Sequence, residues 1–470
     1  MTRRVFLFVL LAAVVVPAPQ AQVDLSGDWG GAISGVLPLV LHIEAADDGF
    51  TASLDSPTQG AFGIPVGEVL LDGLAVTFTF PVLPATYSGQ LDATLDTLTG
   101  VWNQGGVEQP LTFVRGAEAT GPNRPQEPQP PFPYATEDVA FMSADGTVLA
   151  GTLTIPAGNG PHRAVVLTSG SGPQNRDEEL AGHKPFFVLA DYLTRQGLLV
   201  LRYDDRGVGE SSGSFETADL YDFTADATAA VEFLNAREEV ADVGLLGHSE
   251  GGYVAPLVAK QTETLDFIVL LAGPSVRGAE VLEVQNELAY RLAGVSPETA
   301  EAYATALGRV LQRIIAVPLD QPLGDELLAT ARDSMRATIT ALPAADLALA
   351  GVREDNLDQV LAGLADFLQA PWARAFLAYD PQPDLRALDV PTLALFGAKD
   401  FQVPPDQNEE PMRAALAASN SPLWDVETFE GLNHLFQTAP TGSMGEYGTI
   451  EETMNPAVLA RIADWIASLE

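Results

Sequence analysis

The 470-residue chain carries 24 Lys+Arg against 63 Asp+Glu, five His and no Cys. A formal charge of −39 argues against a nucleic-acid binder, which needs a basic footprint, and equally against docking on anionic lipid. The absence of Cys excludes disulfides, thiolate metal sites, iron–sulfur clusters and a cysteine nucleophile. With 47% hydrophobic and 19% charged residues a sizeable core is within reach. At about 150 residues per domain, the length suggests two or three domains. Lysine occurs only at Lys184, Lys260 and Lys399. Such a surface stays hydrated at low salt and tolerates high salt by screening. Salt adaptation and the ordinary acidity of a secreted protein from a GC-rich source both fit it.

At the N-terminus, Arg3 and Arg4 precede an unbroken apolar run, Val5 to Val16. The run is too short to span a bilayer and matches a signal peptide, expected over residues 1–21 with cleavage after Ala18 or Ala21. The mature chain is therefore expected to be exported, periplasmic or secreted, with no membrane insertion once the signal is removed.

From residue 22 to residue 116 the pattern is β. Short runs at Leu37–Ile43, Val69–Leu71, Leu74–Phe80, Tyr87–Leu91, Thr99–Trp102 and Leu111–Val114 are separated by turn pieces such as Asp72-Gly73. Their even spacing predicts a small antiparallel barrel or sandwich. Trp29 is expected to pack beneath its first strand. The dense prolines that follow force polyproline II and predict a semi-rigid linker over residues 117–134.

After the linker the grammar changes. Val139–Phe141 and Leu149–Ile155 read as a hairpin turning at Ala144-Asp145-Gly146. Short apolar runs at Ala164–Thr168, Leu198–Tyr203, Val243–Leu246, Phe267–Leu271 and Thr392–Phe396 then alternate with helical stretches. Buried strands alternating with helices predict an α/β domain over residues 135–470, with a mostly parallel sheet covered on both faces. Between about residues 276 and 389 the pattern is helical throughout, as in a cap over an active site.

Two stretches match Gly-x-Ser-x-Gly: Gly247-His-Ser249-Glu-Gly251 and Gly209-Glu-Ser211-Ser-Gly213. A nucleophile elbow needs a strand running straight into the turn and a helix leaving it at once. Ser249 has both, whereas Ser211 lies in a long polar loop. A serine nucleophile needs a histidine base held by a carboxylate, and in this architecture the chain order is Ser, acid, His. One histidine lies downstream of Ser249, namely His434. Asp400 follows the Thr392–Phe396 strand on the face where such sheets present ligands. The oxyanion donors are expected to be the amides of Glu250 and Ser171, the latter in the glycine-rich loop after the first central strand. Asp204-Asp205-Arg206 on the next loop reads as an ion-paired structural turn.

These segments resemble bacterial α/β-hydrolases of the serine aminopeptidase and acyl-esterase clan, in particular members with an N-terminal β domain. The resemblance rests on Ser169-Gly-Ser-Gly-Pro-Gln-Asn-Arg-Asp177, His183-Lys-Pro-Phe186, Arg202-Tyr-Asp-Asp-Arg-Gly-Val-Gly-Glu-Ser211, Gly247-His-Ser-Glu-Gly-Gly252, Asp380-Pro and Gly397-Ala-Lys-Asp400-Phe-Gln-Val-Pro404. The family usually has His-Gly in the oxyanion loop where this chain has Ser169-Gly170. The resemblance implies a serine carboxylesterase acting on short acyl or aromatic-acid esters, without metal or other cofactor. An exopeptidase of the same clan and a ligand-binding protein with a vestigial hydrolase are the alternatives. The partner expected is a small-molecule ester. The acidity carries its own expectation: activity is retained or raised in about 1 M NaCl, and its loss there would refute salt tolerance.

Overall fold

In the computed structural model, the structure describes residues 23–33, 37–46, 49–56, 61–83, 85–104, 107–117 and 123–469. The leader expected over residues 1–21 lies outside them. The chain divides into two compact units, residues 1–121 and 122–470.

The first unit is one antiparallel sheet. Its strands are β1 (Gly27–Ile33), β2 (Leu37–Ala46), β3 (Gly49–Ser56), β4 (Ala61–Pro65), β5 (Glu68–Asp72), β6 (Ala75–Phe80), β7 (Ala85–Leu91), β8 (Thr97–Gln104) and β9 (Val107–Arg115). They run in the order β4-β3-β2-β1-β9-β8-β7-β6-β5. The sheet curls until Val66, between the two edge strands, donates its N–H to Ala52 O of β3 at 3.1 Å. Strict alternation, as in β7, turns one face inward. That interior is filled by Trp29, Leu41, Phe78, Tyr87, Trp102 and Phe113. Trp29 lies on β1, its indole N–H donating to Leu25 O at 2.9 Å while the Arg115 guanidinium covers the ring at 4.2 Å. Strands β1, β3 and β4 escape the sequence reading because Gly, Ser and Asp interrupt their apolar positions.

The second unit holds a sheet of β10 (Ala135–Met142), β11 (Val148–Ile155), β12 (His162–Thr168), β13 (Leu199–Tyr203), β14 (Val240–His248), β15 (Phe267–Leu271), β16 (Thr392–Gly397) and β17 (Trp424–Phe429). The order is β10-β11-β13-β12-β14-β15-β16-β17. The hairpin β10–β11 joins antiparallel, and all pairs from β13 to β17 are parallel. Strands β13 and β15 are buried at every position, as expected when helices cover both faces. Helices α1 (Pro185–Arg195) and α13 (Pro456–Ser468) pack on one face. Helices α2 (Leu220–Asn235), α3 (Gly251–Gln261) and α11 (Pro405–Ala417) pack on the other.

The chain runs from β12 outward to β13 and then returns to β14 on the opposite side. The carboxyl ends of β12 and β14 therefore form a topological switch point, where loops diverge and leave a crevice. Thr168 and Gly247 are paired at that edge.

Between β15 and β16 lies the cap: α4 (Gly278–Leu292), α5 (Pro297–Ile315), α6 (Asp325–Ala341), α7 (Ala344–Leu349), α8 (Leu357–Gln369), α9 (Pro371–Ala378) and α10 (Gln382–Ala387). Three of these, α7, α9 and α10, have at most eight residues and are too short for a helical period to stand out.

Residues 123–134 are fastened to the second unit instead of spanning free. Arg124 donates to the carbonyls of Ala181, Gly182, Gly448 and Ile450 at 2.8–3.0 Å. Gln126 bonds Met454 and Thr453, and Lys184 pairs with Glu127. The polar side chains between the prolines determine where the segment lies.

Trp29→Ala is expected to lower the unfolding free energy of the first unit by about 3–5 kcal/mol. Denaturant unfolding followed by circular dichroism measures it.

Candidate active site

Ser249 sits at the apex between β14 and α3 with φ of 52°, a left-handed conformation that costs a non-glycine residue about 1–3 kcal/mol. Its N–H donates to Leu271 O at 2.8 Å and its carbonyl accepts from Gly252 N–H at 2.8 Å. A Cβ at Gly247 would collide with the carbonyl oxygen of Gly251. The turn closes only because that position lacks one.

His434 lies on the loop after β17, 5% exposed. Its Nδ1 is 2.7 Å from Asp400 Oδ2. Asp400 follows β16 and is equally buried. Its Oδ1 accepts the N–H groups of Gln402 at 2.8 Å and Val403 at 3.0 Å, which hold the carboxylate in one orientation. With Nδ1 donating to Asp400, Nε2 is the ring's basic nitrogen. Ser249 and His434 line the same cavity of about 210 Å³.

The loop after β12 approaches Ser249 closely: a Cβ on Gly170 would lie 3.1 Å from Ser249 Cβ. Asp205 braces this loop, accepting from Ser169 Oγ and Gln174 N–H at 2.9 Å each. Asp204 adds Arg176, through its backbone N–H at 2.8 Å and its guanidinium at 2.6 Å. Arg206 pairs with Asp226 at 2.6 Å. Asp205, expected within an ion-paired turn, instead serves the loop through two hydrogen bonds. Burial pushes its carboxyl up to about 8, against the hydrogen bonds it accepts.

Among the described residues, no acceptor takes the N–H of Ser171 or of Glu250, whereas Gly170 N–H is taken by Glu178 Oε1 at 2.9 Å. Both N–H groups expected for the oxyanion are thus available. The Glu250 side chain is buried, with Oε1 unpaired. Burial pushes its carboxyl up to about 7, opposed by a hydrogen bond with the Ser171 side chain.

Three other histidines do not line this cavity. His42 lies between Asp28 and Asp55, and His162 opens β12. His183 is buried against Thr453 Oγ1 at 2.9 Å and Tyr447 O at 2.8 Å. Ser211, the rival serine, donates its hydroxyl to Asp204 O at 2.7 Å and accepts from Ala150 N–H, a purely structural use.

Sequence reasoning missed the cavity wall and Glu178. Leu180, Val281, Leu282, Phe367, Trp372 and Phe376 supply its apolar lining, and Gln285 and Gln402 add polar groups. Most belong to α4, α8 and α9, which meet only in the fold. Glu178 lies one residue beyond the recognised Ser169–Asp177 segment. It is buried and left-handed, with φ of 51°.

A family model described as serine aminopeptidase, S33, matches residues 184–438, more than half of the chain. The chain belongs to this family. The esterase EstD of Thermotoga maritima is 26% identical over 337 residues, 71% of this chain and 70% of its own. The uncharacterized protein YfhR of Escherichia coli is 32% identical over 124 residues, 26% of this chain and 41% of its own. Among solved structures, the Pyrococcus furiosus esterase Pf2001 is 14% identical, with a TM-score of 0.40 over 74% of this chain and 97% of that one. As an S33 member the chain is a hydrolase with the α/β-hydrolase fold.

His183 makes the acid side of stability testable. Burial lowers it from the ordinary 6.5 to about 4. Between those values the unfolded chain binds a proton that the folded chain refuses, so stability falls as pH drops through that window. From pH 7 to pH 4.5 the wild-type protein should lose about 2–3 kcal/mol more unfolding free energy than His183→Gln. Equal losses in denaturant titrations would refute this.

Proposed function

We propose that the protein is a serine carboxylesterase for small neutral esters, working through an acyl-enzyme. The observation that carries this reading is the left-handed Ser249, set in one cavity with a histidine already bonded to a buried carboxylate. Ser249 Oγ attacks the ester carbonyl carbon while His434 Nε2 takes its proton. Asp400 fixes the imidazole tautomer and stabilises the imidazolium that forms. The carbonyl oxygen becomes an oxyanion and is met by the N–H groups of Ser171 and Glu250, each worth about 10²–10³ in kcat. Collapse breaks the C–O bond to the alcohol, which leaves with the proton from His434. A water that gives its proton to His434 then attacks the acyl-enzyme, and the acid departs from a regenerated serine.

The cavity wall supports an ester over the free amino terminus of a peptide. An exopeptidase needs a carboxylate facing the cavity to hold an ammonium group. Among the described residues the one lining carboxylate is Glu178, whose Oε1 is engaged by His248 and Gly170. The cap carboxylates are directed elsewhere. Glu283 packs against Gly308, while Glu287, Asp355 and Asp358 pair with Arg291, Arg353 and Arg336. The aromatic and aliphatic lining suits a short alkyl or aryl acyl group, and the relative EstD carries the name esterase. Export of the mature enzyme is part of the same proposal, resting on residues 3–16.

Ser249→Ala should abolish both hydrolysis of short p-nitrophenyl esters and labelling by a fluorophosphonate. Asp400→Asn should lower kcat by about 10⁴. Retained ester hydrolysis in Ser249→Ala would overturn the assignment. An aminoacyl anilide with a free amine cleaved as efficiently as the esters would favour the exopeptidase.

A further inference from the structure

Glu178 and His248 lie beside Ser249, yet the acyl-enzyme cycle uses neither side chain. Their contacts form a chain across the site. Glu178 Oε1 is 2.9 Å from Gly170 N and 2.8 Å from His248 Nδ1. His248 Nε2 is 3.0 Å from the backbone carbonyl of His434, and the two imidazole rings are 4.8 Å apart. A carbonyl oxygen only accepts, so Nε2 must carry a proton. The oxygen facing Nδ1 already takes an N–H from Gly170, which favours an ionised carboxylate there and a second proton on the ring. The left-handed backbone at Glu178 is a further cost borne at this one point.

We propose that Glu178 and His248 are a positioning ion pair, a carboxylate and an imidazolium at neutral pH, that ties the oxyanion loop to the loop carrying the catalytic base. One end fixes Gly170, the residue before the Ser171 N–H. The other end fixes the backbone of His434. Ser249, next in sequence to His248, lies between them. The pair thus sets the spacing of nucleophile, base and oxyanion donor, and its effect is felt most where charge develops. The charged and titratable groups around it are Asp400 and His434 on the following loops, with Asp205 and Glu250 toward the oxyanion loop. Burial opposes the charge on His248, but Glu178, the His434 carbonyl and Asp400 together raise its pKa above the ordinary histidine value.

The inference rests on the esterase reading for its kinetic arm and is independent of it for its spectroscopic arm. With five histidines in the chain, ¹⁵N-histidine NMR can follow each ring, and His248→Gln identifies the signal that disappears. At pH 7 the wild-type His248 should show both nitrogens protonated; a neutral ring overturns the proposal, whatever the substrate. Kinetically, Glu178→Ala should lower kcat by about 10–100-fold with KM within threefold. Glu178→Gln, whose amide oxygen still accepts Gly170 N–H, should recover part of that loss. As pH rises through the raised His248 value, the wild-type kcat should fall, and His248→Gln should lack that fall. A Glu178→Ala kcat within twofold of wild type, a loss confined to KM, or an unchanged alkaline limb in His248→Gln would each overturn it. Should Glu178→Ala fail to fold, Glu178→Gln and the wild-type spectrum decide.

Discussion

The close approach of backbones at the end of β14 is the constraint on which the rest of the second unit depends. A serine held at positive φ projects its hydroxyl into the crevice only if strand and helix can turn within two residues. That demands no side chain at Gly247 and an anchor on β15 through Leu271. The parallel sheet provides the rest. Its strands end together, so the loops after β12, β14, β16 and β17 bring Ser171, Ser249, Asp400 and His434 to one edge. Residues more than 180 positions apart in sequence meet because their strands terminate on the same side.

Much of this was readable beforehand because it is written in local chemistry. The elbow has its own spacing and strand–helix context, the buried strands are short apolar runs, and exclusion among five histidines left one candidate base. What stayed hidden depends on long-range contact. The cavity lining comes from α4, α8 and α9, whose approach no single segment encodes. Glu178 is one Glu among many in an acidic chain, and only its burial and left-handed backbone set it apart. Strands β1, β3 and β4 were obscured by polar and glycine positions that face outward or turn.

The charge of the chain is divided between two environments. Most carboxylates are solvated and affect solubility and salt response. A few are not: Asp400, Glu178 and Glu250 are buried around Ser249, with Asp205 half-buried beside them. Each is handled differently. Asp400 accepts from two backbone N–H groups and faces a histidine, Glu178 meets a histidine and a backbone N–H, and Asp205 accepts from a hydroxyl and a backbone N–H. Glu250 is left with one oxygen unpaired. Net charge alone conceals this division, because a carboxylate's contribution depends on whether water or protein solvates it.

The fastening of residues 123–134 also changes where the hydrolase begins as a physical object. Arg124 binds the carbonyls of Ala181 and Gly182, only a few residues beyond Glu178. A shortened protein starting at the first strand of the larger sheet would strip four carbonyls of their shared donor and loosen the stretch leading back to the loop after β12. The boundary for dissection therefore falls ahead of Arg124, and residues 123–134 are better regarded as the outermost brace of the second unit than as a tether.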